Sequence, residues 1–320
     1  MNMLANPNRR NFLKNAALMP FCAAVASQAQ TKRPGRQVLK TSLNAYSFNK
    51  MMNDNIKGRA EGITLVQVME FASKNKFEGF DATGYFMPGY PKAPPDSYID
   101  NFKKRAADLG IGISGTGVRN NFTTADKALR DGGVNHIKEF VEVAARLGAP
   151  VIRVFADTQL RAETWETVSK GATRDQVQEW TAAALKECAE HGKKFGVRIG
   201  VQNHGDFLKT GEEQMRLVKA VGSEWCGPIV DTGYFKSADP YEDIALVAPH
   251  ALNWQVKQSP LGEESEVPTD LVKLLKIIRK SGYSGYLPIE TLSPRGKDYD
   301  PFTVVPAFLK QLQDAIAKTA

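Results

Sequence analysis

The chain is poor in the residues that build metal and redox centres. It holds 3 cysteines and 4 histidines in 320 residues. Cys22, Cys188 and Cys226 stand far apart, and no Cys-x-x-Cys pair occurs. A zinc–thiolate centre is therefore not expected. A disulfide between Cys188 and Cys226 would need an oxidising compartment, and their spacing does not suggest one. No Gly-x-Gly-x-x-Gly follows the first β-rich run, so a dinucleotide site is unsupported. No apolar run is long enough to span a membrane. No dense Lys/Arg stripe marks a nucleic-acid surface.

The charge balance of +7 at pH 7 is partly a property of the N-terminus. Arg9, Arg10 and Lys14 precede any acidic residue, the first being Asp54. Setting residues 1–30 aside lowers the balance to +4. Asn8-Arg9-Arg10-Asn11-Phe12-Leu13-Lys14 resembles the twin-arginine export pattern. A short Ala-rich apolar stretch follows, then small residues suited to cleavage. Residues 1–30 are thus expected to be a twin-arginine signal peptide, 31–37 a linker and 38–320 the folded domain. The protein is expected in the periplasm or otherwise exported, with no stable membrane anchor.

From residue 40 on, β-rich runs alternate with amphipathic ones. The pattern predicts strands at 41–48, 79–82, 111–116, 151–155, 198–203, 228–231, 252–257 and 286–290. Helices are expected at 64–75, 97–109, 134–147, 174–195, 212–221, 241–247, 270–281 and 304–317. Eight strand–helix units in one domain of this length predict an α/β fold, a closed (β/α)₈ TIM barrel. The Pro-rich stretch 88–95 is expected to be a loop shaping the barrel mouth.

Active sites of such barrels sit at the C-terminal ends of the strands. Strand five ends in Gln202-Asn203-His204, strand six in Asp231, strand seven in Gln255-Val256-Lys257 and strand eight in Glu290. Side chains two apart share a strand face. Gln202, Asp231, Gln255 and Glu290 are therefore expected to converge, and oxygen donors of this kind suit Mg²⁺ or Mn²⁺.

These strings resemble the sugar phosphate isomerase/epimerase family, with its xylose isomerase-like barrel. Gln202-Asn203-His204 stands for its Glu-Asn-His run, and Val230-Asp231-Thr232-Gly233 for its sixth-strand Asp. Gln255-Val256-Lys257-Gln258 stands for its His-x-Lys-Asp run, and Ile289-Glu290 for its eighth-strand Glu. Gly79-Phe80-Asp81 resembles its Gly-Phe-Asp/Glu stretch. The resemblance covers residues 38–318 and implies a metal held at 202, 231, 255 and 290. Two family ligands, a Glu and a His, are glutamines here. Glutamine is neutral and cannot act as a base, so metal affinity is lowered and the two-Glu scheme does not carry over.

The expected activity is proton abstraction next to the carbonyl of a sugar or keto-sugar. Glu290 and His204 are the candidate bases, and Lys257 is a fixed positive charge for the developing oxyanion. Arg153, Asp157, Asp81, Tyr46 and Trp254 are candidate substrate contacts. Two alternatives stay open on the same site. One is a keto-sugar lyase acting on a 3-keto-glycoside; the other is a non-catalytic sugar-binding barrel with a decayed metal site. The partner is expected to be a small sugar, with no nucleic acid, and self-association into a homo-oligomer is left open. A DNA-repair endonuclease on this fold would need a His-rich zinc cluster, which four scattered histidines do not supply.

Overall fold

The structure is a computed structural model that describes residues 37–157, 163–262, 265, 267–292 and 298–320. The expected signal peptide lies outside these residues. The strands are β1 (Leu39–Asn44), β2 (Gly79–Thr83), β3 (Gly112–Gly117), β4 (Val151–Phe155), β5 (Arg198–Gln202), β6 (Cys226–Asp231), β7 (Asn253–Lys257) and β8 (Gly285–Glu290). They close into a barrel in chain order, each parallel to its neighbours, with β8 pairing back onto β1. The helices are α1 (Asn49–Ile56), α2 (Leu65–Lys74), α3 (Asp96–Asp108), α4 (Lys127–Leu147), α5 (Trp165–Val168), α6 (Arg174–Phe195), α7 (Gly211–Val221), α8 (Pro240–Val247), α9 (Leu271–Ser281) and α10 (Pro301–Lys318). The expected eight-unit barrel is the observed one.

Local chemistry sets the helix ends. Thr64, Thr173 and Thr210 each cap a helix reciprocally with Gln67, Gln176 and Glu213, satisfying two otherwise orphaned donors apiece. Gly148 and Gly196 end α4 and α6 in left-handed conformation, where a Cβ would be strained. Asp126 caps α4, which therefore starts seven residues before the expected 134. The expected first strand ran to 48, but β1 stops at Asn44. There the Asn44 side chain accepts the Tyr46 N–H at 2.8 Å and turns the chain into a 3₁₀ segment, Ala45–Phe48. The short helices α1 and α5 were not expected; both sit in strand-to-helix connections.

Strand alternation divides the barrel wall into two faces. Outward residues such as Phe80, Val154, Val201, Val230, Trp254 and Val256 are fully buried beneath the helices. Burying each large apolar side chain contributes roughly 1.5–3 kcal/mol. The inner face is polar at the C-terminal end and plugged at the other. Tyr286 lies across the N-terminal end, and a Cβ on Gly79 or Gly112 would stand 2.6 or 2.2 Å from it. Those two glycines are there because the ring passes over their backbone. Cys188 and Cys226 are both buried and free.

Candidate active site

Strands β5 to β8 bring one connected cluster to the mouth. Gln202 Nε2 donates to Asp231 Oδ2 at 2.5 Å. Asp231 Oδ1 accepts the Gly233 N–H at 2.9 Å. Lys257 Nζ donates to Glu290 Oε1 and stands 3.5 Å from Asp231 Oδ2. Asn203 braces the strand end, its amide exchanging hydrogen bonds with the Asp231 backbone N–H and C=O, both 2.9 Å. Thr232 Oγ1 accepts the Lys257 N–H at 2.9 Å. Gln202, Asp231, Lys257 and Glu290 are all buried. Burial works against the Lys257 charge, but Asp231 and Glu290 outweigh it and raise its pKa. Burial likewise raises Asp231, with Lys257 opposing.

Gln255 shares the inner face of β7 with Lys257 but faces β1. Its Oε1 accepts from Asn44 Nδ2 at 2.5 Å, and its Nε2 is buried without a partner. Asn44 Oδ1 also accepts from Thr83 Oγ1 at 3.2 Å.

A second group spans β2 to β4. Arg153 is buried and donates to Tyr85 Oη at 2.6 Å. Its guanidinium lies 4.4 Å from the Phe155 ring centre. Arg119 covers the Tyr85 ring at 4.4 Å. Asp81 is 2% exposed, and its Oδ1 has no hydrogen-bond partner. Burial, reinforced by Glu290 and opposed by Arg153, pushes its carboxyl up to about 7. Glycines in β3 make this crowding feasible. A Cβ at Gly115 would sit 2.8 Å from Asp81 Oδ2, and one at Gly117 2.6 Å from Arg153 Nη2.

His204 follows β5 and stacks on Tyr234 with ring centres 4.6 Å apart. Its Nδ1 is 3.7 Å from Asp157 Oδ1. Burial, with Lys257, Arg153 and Lys236, pushes the imidazole down to about 3. The ring is neutral at ordinary pH, a hydrogen-bonding group and a weak base. Arg153 and Asp157 thus face different partners rather than each other. Tyr46 follows the end of β1 and meets Tyr85 edge-on at 6.1 Å.

Trp254 is not with them. It alternates with Gln255 and Lys257, so it faces the helices, fully buried against Tyr283. An aromatic next to two site residues in sequence is one strand position out of phase, and the substrate contact expected of it is withdrawn. Sequence reading also missed Asn44, Tyr85, Gly115 and Gly117. The only signal for the glycines was their alternation in Gly112-Ile113-Ser114-Gly115-Thr116-Gly117.

Of the donors at 202, 231, 255 and 290, Gln202 bonds to Asp231, Lys257 joins Asp231 to Glu290, and Gln255 bonds instead to Asn44; the set does not suit a divalent ion. Gln202 presents an N–H, not a carbonyl, to Asp231. The Gln255 carbonyl is taken by Asn44. An ammonium stands against both carboxylates, where a second cation would be repelled. Among the described residues no group of three or more His, Cys, Asp or Glu side chains is arranged to hold a metal.

A closed parallel barrel with its charged groups at the C-terminal rim has the layout of an enzyme of the (β/α)₈ class. Residues 69–312 match the family described as xylose isomerase-like TIM barrel, and the chain belongs to that family. No curated protein matches the sequence. Among solved structures, L-ribulose 3-epimerase is similar at 20% identity and a TM-score of 0.69, over 88% of this chain and 97% of that one. D-psicose 3-epimerase from Clostridium cellulolyticum H10 shares 14% identity, with a TM-score of 0.68 over 87% and 99%. The 3-keto-D-glucoside 4-epimerase of E. coli shares 14%, with a TM-score of 0.67 over 87% and 100%. At these identities it is the fold that is shared.

Proposed function

We propose that this barrel is a sugar isomerase or epimerase that removes a proton next to the carbonyl of a sugar or keto-sugar. The observation that carries the reading is the Lys257 ammonium, held between Glu290 and Asp231 at the mouth. Glu290 is the base: Lys257 binds one of its oxygens, and no described residue bonds the other. An ammonium has three N–H donors. One is given to Glu290, Asp231 Oδ2 stands 3.5 Å away, and a remaining donor serves the substrate's carbonyl oxygen. As Glu290 takes the proton, the electron pair moves into an enediolate whose oxygen charge is met by Lys257. Preplaced charge of this kind is a large source of rate enhancement in a dry site. The named activities of the similar structures support the reading. The donor set favours chemistry driven by Lys257 over a bound Mg²⁺ or Mn²⁺. A 3-keto-glycoside carrying a leaving group on the next carbon would be cleaved through the same enediolate.

The test is proton exchange. The purified protein is incubated in deuterated water with a panel of free and oxidised sugars and followed by NMR. At least one ketose or keto-glycoside is expected to exchange a carbon-bound proton; a panel showing none sinks the reading.

Export by the twin-arginine route is part of the same proposal, supported by the Arg9-Arg10 string. Replacing both by lysine is expected to leave the protein in the cytoplasm on fractionation.

A further inference from the structure

A guanidinium taken out of water needs a counter-charge and acceptors for its N–H groups. Arg153 is 5% exposed, yet among the described residues no carboxylate lies within ion-pair distance of it. Its hydrogen bonding to them is one contact, Nη2 to Tyr85 Oη at 2.6 Å. Asp81 and Glu290 reach it through their fields alone. Lys257, the other buried cation of the mouth, is held between two carboxylates. Phe155 and Tyr85 flank the Arg153 charge, with ring centres 4.4 and 5.4 Å away. A ring face attracts a cation without satisfying its N–H groups.

The fold keeps those N–H groups open. Arg153 pairs with Gly117 on β3 and with Gly200 on β5, so neither neighbouring strand sets a side chain beside it. A Cβ at Gly117 would stand 2.6 Å from Nη2 and 2.8 Å from Nε. That edge of the guanidinium therefore lies over β3, and Nη1 is turned away from it. Unlike Asp81 Oδ1 and Gln255 Nε2, the unbonded nitrogens of Arg153 are not sealed from solvent. Arg119 is exposed, joins no ion pair among the described residues, and covers the Tyr85 ring at 4.4 Å. Two guanidinium groups thus share Tyr85. From Phe155 a row of rings leads to the reacting cluster. His204 meets Phe155 edge-on at 4.9 Å and stacks on Tyr234, and Lys257 Nζ stands 5.3 Å from the Tyr234 ring centre. The His204 side chain is 23% exposed, so the row opens outward.

We propose that the substrate is a sugar acid whose carboxylate docks on Arg153, with Arg119 adding charge from the rim. The inference rests on the proton-transfer reading of Glu290 and Lys257 and names the substrate class that this site takes. A carboxylate is planar and carries one charge, so it matches a guanidinium fork. Docked there, it supplies the counter-charge that no described residue gives Arg153. A neutral sugar would leave that cation desolvated and unpaired. A phosphate brings more charge and three strong acceptor oxygens, more than one guanidinium already bonded to Tyr85 satisfies. With its acid end on β4, the sugar lies along the row of rings and carries its carbonyl toward Lys257 and Glu290.

The experiment compares matched sugars: hexuronates and keto-hexuronates, each beside the neutral hexose of the same stereochemistry and its 6-phosphate. Binding is measured by calorimetry, and proton exchange by NMR in deuterated water. At least one acid is expected to bind about tenfold or more tightly than its neutral counterpart and to exchange a carbon-bound proton. Arg153→Met is expected to abolish that preference while the neutral sugar binds as it does to the wild type. Arg119→Ala, a change at an exposed position, is expected to weaken binding of the acid alone, and it decides the matter where Arg153→Met does not fold. Neutral sugars bound as tightly as their acids overturn the proposal. So do an acid preference that survives Arg153→Met, full acid affinity in Arg119→Ala, and a preference for the phosphates. Exchange confined to neutral sugars overturns it and leaves the Glu290 reading standing. Acid binding that depends on Arg153, with no exchange on any sugar, removes the Glu290 reading and leaves the carboxylate site in place.

Discussion

Lys257 Nζ is hydrogen bonded to Glu290 and lies 3.5 Å from Asp231 Oδ2. One ammonium thus joins the ends of three consecutive strands, β6, β7 and β8. The geometry makes Lys257 both a structural countercharge and the nearest positive charge to the proposed base.

Glu290→Gln keeps the side chain's shape and removes its basicity. Turnover and proton exchange are expected to fall by about 10²–10⁴-fold, with the circular dichroism spectrum and urea midpoint close to wild type. Wild-type rates in this variant would reject Glu290 as the base.

Lys257→Met leaves two buried carboxylates without their shared cation. Losing one partner of a buried ion pair costs about 3–5 kcal/mol. Urea unfolding at pH 7 is expected to show a loss of that order. The same unfolding series near pH 4 is expected to show a smaller one, because Asp231, which burial raises to about 6, can then be neutralised. A loss of the same size at both pH values would mean that charge is not its cause.

Chelation is expected to leave turnover unchanged, because the amide and ammonium groups around Asp231 and Glu290 occupy the contacts an ion would use. Turnover that falls after EDTA dialysis and returns with Mn²⁺ would show that the mouth rearranges to take a metal.

Asp81 makes stability depend on pH in a direction unusual for a carboxylate. Its folded pKa, about 7, is above the ordinary aspartate value of 3.8. The folded chain therefore holds a proton that the unfolded chain has released. Stability from this group is complete below about pH 4 and is lost as pH rises through about 7. Each tenfold tightening of proton binding corresponds to about 1.4 kcal/mol. Urea midpoints of the wild type, compared with Asp81→Asn, are expected to fall more steeply between about pH 4 and pH 8. Parallel curves would refute the raised value.

Gly117→Ala places a methyl 2.6 Å from Arg153 Nη2. The guanidinium is expected to move off Tyr85, since a side-chain end yields more readily than strand backbone. If Arg153 is a substrate contact, withdrawing its charged donor from a substrate oxygen corresponds to about tenfold or more in binding. KM is expected to rise by that factor with little change in melting temperature. An unchanged KM would take Arg153 out of substrate binding.

Much of the architecture was legible along the chain. Alternation of β-rich and amphipathic runs marked all eight strand–helix units, and the burial of Val154, Val201 and Val256 beneath helices follows that pattern. The end of β1 was misread, because Tyr46 and Phe48 have strand-forming side chains while the turn depends on one Asn44 hydrogen bond. Trp254 was misplaced for a related reason. Its neighbours in β7 are two inward-facing residues, Gln255 and Lys257, so period-two alternation already puts Trp254 on the outer face, and taking its aromatic ring for a sugar contact overrode that pattern.

The candidate site divides the same way. Period-two spacing and barrel polarity sufficed to nominate Gln202, Asp231, Gln255, Lys257 and Glu290, because alternation and strand direction are local properties of the backbone. Which of these groups bond to one another was settled by closure of the ring. Closure sets β8 against β1, seats Asn44 on Gln255, and lays Asp81 and Arg153 over the glycines of β3. Such contacts join residues more than thirty, and in two cases over two hundred, positions apart. Local preference carries no information at that range, so only the packed barrel could turn a list of polar strand ends into a charged cluster with a defined order.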